Sequence, residues 1–518
     1  MSKTTKQKVV VLALVILLSF AVFIGCDKTT TEEPQETAHQ AQEATEEPDV
    51  ESKDELEYAE ISWHFIGAEQ PDQEMVFEAA NKIIKEEINA NVNFIRLGWG
   101  DYEEKMQLMT AAGEEYDLCF SSGWINNYKT NVEDGAYLIL DELIPLYAPN
   151  TYAAIPESIM EGTKVNGHLY GFPGYQVSFR QAALIFNKEL VEKYGLTDEI
   201  DSMKSLDDLT PILYTVQENE PNYIMADLTM AYNMFYPFTA DNYIHPVYDD
   251  YGIYIDYDYQ IKGSLDEFAL QLDSENYNRA VEWYKAGFFH PDAGMGLQSD
   301  FSEERSAGKF FVINDVNKPG VEADMLQRYG YEVYVKPMGM STISTGSITS
   351  NMTVVSITSK NPERAVMAME LMNNNTDLFN TIVFGIEDTH YVKTGEDRVE
   401  VTNAEAYSGY AWMMGNQFNA YKLPAQADDV WEVTKQLNEE AMASPDLGFY
   451  FEDDAVRTEL ANVQAVYTEY ADILYYGLVE NIDDIITERN VKLEKAGLQT
   501  VIDEMQTQVD AWRASMAD

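Results

Sequence analysis

The sequence is short of the residues that metal and redox chemistry most often need. Only two cysteines and six histidines occur among 518 residues, so a Cys/His zinc site is not expected. Cys119 lies in Tyr116-Asp117-Leu118-Cys119-Phe120, an apolar run that reads as a buried strand, and a structural thiol is expected there. Basic residues are scarce too: 34 Lys and Arg face 89 Asp and Glu, a net charge of −55. A surface that negative repels phosphate backbones, which excludes nucleic-acid binding, and it disfavours strongly anionic ligands unless a basic pocket is hidden in the fold. No Gly-x-x-x-x-Gly-Lys-Ser/Thr run is present, so ATP hydrolysis is not expected of this chain. Beyond the N-terminus no segment is long and apolar enough to span a bilayer. What is abundant is apolar and aromatic material: 45% hydrophobic residues, with 34 Tyr, 22 Phe and 7 Trp, ample for two or three cored domains.

Lys3, Lys6 and Lys8 precede a stretch from Val9 to Ile24 that is apolar except for Ser19, followed by Gly25-Cys26. That pattern describes a secretory signal. Phe23-Ile24-Gly25-Cys26 resembles the bacterial lipobox, with Phe23 where Leu is usual; the resemblance implies acylation of Cys26 and a signal peptide over 1–25. Residues 26–59 are rich in Thr, Glu, Gln and Ala and bury too little to fold, so they read as a disordered acidic tether. The expected location is the extracytoplasmic face of the cell membrane.

The next segments alternate. Glu60–Ile66 reads as a strand, Glu74–Ile88 as a helix, Asn91–Leu97 as a strand, Tyr102–Ala112 as a helix and Tyr116–Ser121 as a strand. This is the pattern of a parallel sheet with crossover helices, hence an α/β fold. Ligands of such sheets bind beyond the carboxyl ends of the strands, which directs attention to Gly67–Asp72, Gly98–Asp101 and Ser121–Lys129. Further on, Asn166-Gly167 is a hairpin turn signal, Ala182–Asn187 a strand, Lys188–Tyr194 a short helix closed by Gly195, and Ser205 an N-cap.

The run Tyr170–Leu190, the helix opened by Ser205, Gly308–Asn314 and Asn361–Ala365 resemble extracellular solute-binding proteins, most broadly the maltose-binding-protein-like sugar binders. Gly415–Phe418, Leu447–Phe449, Ala461–Gly477 and Leu493–Gly497 are similar to the LplA/LipO-like lipoproteins, which carry a helical C-terminal region. The resemblance implies a periplasmic-binding-protein-like fold of two α/β lobes joined by a hinge with several chain crossings. Crossings are expected near Pro173, Pro337 and Leu378–Gly385. Lobe 1 is then 60–173 plus 337–385, and lobe 2 is 174–336 plus 386–518.

A cleft for neutral sugar needs aromatic faces against the C–H faces of the rings and polar side chains for the hydroxyls. Trp124, with Ser121, follows the third strand and reads as a stacking platform, or alternatively as lobe–lobe packing. Trp63 and His64 read as core, with Glu69 in the following loop nearer a ligand; Trp99 fits either role. Tyr175, Gln176 and Arg180 follow the first crossing and are expected on the cleft floor, Arg180 alternatively in a hinge salt bridge. By the resemblance, Tyr232 and Tyr236 place rings against sugar, and Asn314, Asp315 and Asn317 face the cleft. Trp412, Asn416, Phe449 and Tyr450 complete the candidates. Asp249-Asp250 and Asp256-Tyr257-Asp258 lack the Asp-x-Asp-x-Asp-Gly spacing of a calcium loop and read as a surface hairpin, so no metal is expected.

Ser306-Ala307-Gly308-Lys309, Ser359-Lys360-Asn361 and Lys393-Thr394-Gly395 occur in the order of the serine acyl-transferase motifs. Lys309 leads directly into a strand and the other two lie at a helix cap and a polar turn, contexts in which the serine and lysine cannot act together. The expected function is therefore not enzymatic and uses no cofactor. It is capture of a neutral oligosaccharide by a monomer that delivers it to the permease of an ABC importer. The alternatives are the same fold binding a peptide or other metabolite, or a surface sensory or interaction protein.

Overall fold

A computed structural model describes residues 56–227, 244–248, 252–293 and 301–516. The signal segment, Cys26, most of the tether, Tyr232, Tyr236 and Asp249-Asp250 lie outside the described residues.

Two five-stranded sheets organise the chain. The strands are β1 (Ala59–Ile66), β2 (Ala90–Leu97), β3 (Leu118–Ser121), β4 (Gly171–Pro173), β5 (Arg180–Asn187), β6 (Ile224–Asp227), β7 (Ile244–Tyr248), β8 (Ile253–Asp256), β9 (Ile261–Gly263), β10 (Phe310–Val316), β11 (Val333–Ile343), β12 (Met352–Val355), β13 (Tyr391–Lys393), β14 (Val399–Val401) and β15 (Met442–Ala443). The first sheet runs β2-β1-β3-β12-β4 and the second β15-β11-β5-β10-β6. In the first, β1 is parallel to β2 and β3, as alternating strands and helices require, whereas β12 is antiparallel to β3 and β4. The second is mixed: β5 is antiparallel to both β10 and β11, while β6 and β15 run parallel to their neighbours.

Local chemistry accounts for many element ends. The helix Gln73–Ile88 buries Val76, Phe77, Ala80, Ile84 and Ile88 at helical spacing and meets Phe65 and Phe94 of the sheet. Gly195 closes Lys188–Tyr194 in the left-handed region at φ 63°. Ser205 and Asp208 form a capping box before the helix Leu209–Asn219. The helices Arg457–Tyr475, Ile482–Ala496 and Leu498–Met516 form the C-terminal region and pack on β8 and β9 through Leu460, Val463, Leu493, Leu498 and Val501. Asp256 through Tyr259 form the turn between β8 and β9.

The chain passes from the first sheet to the second across residues 174–179. Pro337 does not mark the way back. It stands opposite Ala183 inside β11, and the chain re-enters the first sheet only at Met352. Proline survives there because β15 pairs only with Thr342 and Ile343, so β11 is an edge strand at Pro337 and no ladder bond is lost. Beyond Phe384 the chain stays on the first core, where Met413, Met414 and Ala420 are buried, and joins the second sheet at Met442.

Asp117 and His64 are buried ionisable groups at the first sheet. Asp117 is satisfied by Ser62 and Ser359, the latter at 2.6 Å. His64 is buried edge-on to Tyr116, and its Nδ1 has no hydrogen-bond partner among the described residues. Burial holds its pKa below the ordinary 6.5. Because the folded value is the lower one, folding favours the neutral ring, and this stability is present above 6.5 and lost as the pH falls through and below it. Urea unfolding of His64→Phe is therefore expected to show a shallower loss between pH 7.5 and 5 than the parent chain; identical losses would show that His64 does not titrate on unfolding.

Candidate functional site

Because β1, β2 and β3 run the same way, their carboxyl ends deliver three loops to one edge of the first sheet. The loop after β2 carries Trp99 and the loop after β3 carries Trp124. Their rings stack at 6.1 Å between centroids with 22° between planes. Tyr410 and Trp412, from a distant part of the chain, join them: Trp412 lies 6.4 Å from both tryptophans and Tyr410 lies 6.0 Å from Trp99. Phe120 backs the cluster at 5.8 Å from Trp124. Trp99 is 45% and Trp124 52% exposed, an apolar surface that folding alone would cover.

The platform is held rigidly. Trp124 Nε1 donates to Ser350 O at 2.8 Å. Asn126, at φ 47°, donates through Nδ2 to Phe120 O at 2.9 Å, and its backbone N–H donates to the Glu103 carboxylate. Ser121 and Ser122 tie the loop through bonds to Asn126 O and Ile125 O. On the other side Gly409 lets Tyr410 approach: a Cβ there would stand 2.2 Å from Ile382 O. Asn351 Nδ2 donates to Trp412 O and presses on Gly174, whose Cβ would fall 2.1 Å from the same nitrogen. Preorganisation of this kind lowers the ordering cost of binding.

The first crossing forms the floor. Gln176 O, Ser178 N and Phe179 N are all held by one side chain, Asn438, at 2.7, 2.8 and 3.2 Å. Arg180 bonds Val177 O, Phe179 O and Ser350 Oγ at 3.0, 3.1 and 3.0 Å. No carboxylate among the described residues pairs with it, so it forms no hinge salt bridge, and burial pushes its pKa below the ordinary range. Beyond Tyr410 and Trp412 lies a cavity of about 230 Å³, walled by Tyr407–Trp412 on one side, Lys318, Pro319 and Asp324 on the other, and Gln417 at the crossing.

Of the sequence candidates, the structure brings together Trp99, Trp124 and Trp412. Tyr175 is buried edge-on against Phe418 at 4.7 Å, and Asn416 caps the turn Gln417–Asn419, each next to the cleft rather than open to it. Asn317 is paired to Gln181 Oε1 at 2.7 Å. Asp315 bonds the backbone N–H of Val316, and the buried Nδ2 of Asn314 has no partner among the described residues. Glu69 is exposed at the first loop. Ser121 is fully buried, its hydroxyl shared with Asn126 O and Tyr137, and so does not line the cleft. Phe449 belongs to the C-terminal core against Trp512 at 5.5 Å, and Tyr450 donates to Gly162 O at 3.1 Å. Tyr410, Gln417 and Asn438 were not singled out in the sequence, although Tyr410-Ala411-Trp412 has the spacing that puts two rings on one face of an extended chain.

Two α/β lobes, three chain passages and an exposed aromatic edge beside them are the architecture of a hinged binding protein. The chain belongs to the family described as bacterial extracellular solute-binding protein, which it matches over residues 69–375. Residues 445–514 match a domain of unknown function, DUF3502. A relative in Streptococcus pneumoniae serotype 4, a carbohydrate ABC transporter substrate-binding protein, is 28% identical over 463 residues, covering 87% of this chain and 90% of the relative. The crystal structure of an N-glycan transport solute binding protein (NgtS) from Streptococcus pneumoniae is 26% identical, covers 88% of this chain and 98% of that one, and superposes with a TM-score of 0.77. Its complexes with Man1GlcNAc and Man5GlcNAc, both 27% identical, give 0.73 over 88% and 99%, and 0.69 over 88% and 98%.

Proposed function

We propose that this chain is the substrate-binding component of an ABC importer and captures a neutral oligosaccharide between its lobes without making or breaking a bond. The exposed Trp99–Trp124 stack, completed by Trp412 and held by hydrogen bonds from Trp124 to Ser350 and from Asn351 to Trp412, carries the reading. Rings in this arrangement offer flat apolar faces to the C–H faces of pyranoses. The named cargoes of the relatives support carbohydrate over peptide. Binding shifts an open–closed equilibrium by the ligand's differential affinity for the two states, and the closed form is what the permease receives.

The membrane attachment belongs to the same proposal. Lipidation at Cys26 would hold a monomer on the extracytoplasmic face, with 26–59 as tether and Tyr232 and Tyr236 as further contacts. Among the described residues no helix is long and apolar enough to cross a membrane. The test is calorimetry with Man1GlcNAc, Man5GlcNAc, maltotriose and a tripeptide, with small-angle scattering on each mixture. At least one sugar is expected to bind unchanged and to reduce the radius of gyration. Binding of the tripeptide alone, or conversion of a sugar to products, would sink the reading.

A further inference from the structure

We infer that the cavity behind Tyr410 and Trp412 is a second sugar subsite, taking one ring of a ligand that bends round this aromatic wall from the Trp99–Trp124 platform. The inference rests on the carbohydrate reading and adds a geometry to it. Tyr410 and Trp412 belong both to the tryptophan cluster and to the lining of the cavity. A ligand lying on the platform therefore reaches the cavity by turning past their edge.

The lining fits a neutral ring. At about 230 Å³ the space falls below the roughly 300–1,000 Å³ of drug-sized pockets, so one ring rather than a chain of rings is accommodated. Trp412, Phe384 and Tyr421 supply apolar faces. The charges cancel locally, because Lys318 Nζ and Asp324 Oδ2 pair at 2.5 Å and Gln426 Nε2 bonds the other oxygen of Asp324 at 3.4 Å. Gln417 adds a polar group to the lining. Its Oε1 is buried and has no partner among the described residues, while its backbone N–H is fixed to Tyr175 O at 2.9 Å. A buried amide oxygen is costly to leave unpaired, and a ligand hydroxyl would satisfy it.

The walls also come from different parts of the fold. Tyr407–Trp412 stands on the first core, whereas Lys318, Pro319 and Asp324 follow β10 of the second sheet. A ring held here touches both lobes, while one on the platform touches the first. The subsite is thus the part of the ligand site that couples occupancy to closure.

The experiment compares Man1GlcNAc and Man5GlcNAc on the parent chain, Gln417→Leu, Lys318→Met and Trp99→Ala, with urea unfolding of each as a control for folding. Trp99→Ala is expected to weaken both sugars by a similar factor, about tenfold. Gln417→Leu and Lys318→Met, on opposite walls, are expected to weaken Man5GlcNAc about tenfold, to leave Man1GlcNAc within about twofold, and to abolish the scattering change with the longer sugar. Equal effects of Gln417→Leu and Lys318→Met on the two sugars, or none on either, would overturn the second subsite while leaving carbohydrate capture standing. Failure of the parent chain to bind either sugar overturns the subsite together with the reading beneath it only if maltotriose also fails; if maltotriose binds, the subsite for the longer glycan alone is refuted.

Discussion

Replacing Trp99 and Trp124 together by alanine is expected to weaken the tightest-binding sugar about 100-fold, with little change in the unfolding midpoint. The size follows from surface removed from water: an aromatic side chain fully covered by ligand contributes about 1.5–3 kcal/mol, and each 1.4 kcal/mol is a factor of ten. Both rings are half exposed, so the folded protein loses less than it would from a core position. Trp124 additionally gives up its bond to Ser350 O, which is worth about 1 kcal/mol at most positions. Calorimetry gives the affinity and chemical denaturation the stability. Undiminished affinity in the double variant would place the ligand elsewhere on the molecule.

Asn438→Leu is expected to be the most destabilising of the substitutions considered, by about 3 kcal/mol in urea unfolding. One buried amide serves three backbone groups of the first crossing, Gln176 O, Ser178 N and Phe179 N. Leucine keeps the branching at Cγ and supplies no polar atom, so up to three buried groups lose their partner at about 1–3 kcal/mol each, part of which relaxation and water recover. The crossing links the two sheets, and a looser crossing is expected to weaken sugar binding as well as stability. Asn438→Asp keeps the acceptor for the two N–H groups but loses the donor to Gln176 O, and is expected to fall between the two. A leucine variant as stable as the parent would show that these three bonds are not what orders residues 174–179.

Much of the framework was legible because it rests on local rules. The βαβαβ run, the Asn166-Gly167 turn, the Gly195 cap and the Ser205 capping box each depend on a few neighbouring residues. The tryptophan after β3 was legible for a related reason: strand direction fixes the edge at which a loop emerges, and a Trp beside Gly123 has little local cover. Ser121 and Phe449 were misjudged for want of their partners. A small polar residue at a strand end looks open until Asn126 and Tyr137 close over it, and an aromatic placed by the resemblance to related proteins looks like a cleft wall until Trp512 covers it.

The chain's own composition and order determined that the protein is acidic, α/β and suited to an uncharged ligand, since charge balance, periodicity and turn chemistry are properties of segments; its two lobes were legible only through the resemblance to a family. Which aromatics meet was decided by the tertiary structure alone. Trp99 and Trp124 acquire Tyr410 and Trp412 only because Gly409 admits close packing against Ile382 and Asn351 holds the Trp412 carbonyl. Contacts between residues so far apart along the chain depend on how whole layers pack, and no local pattern encodes that.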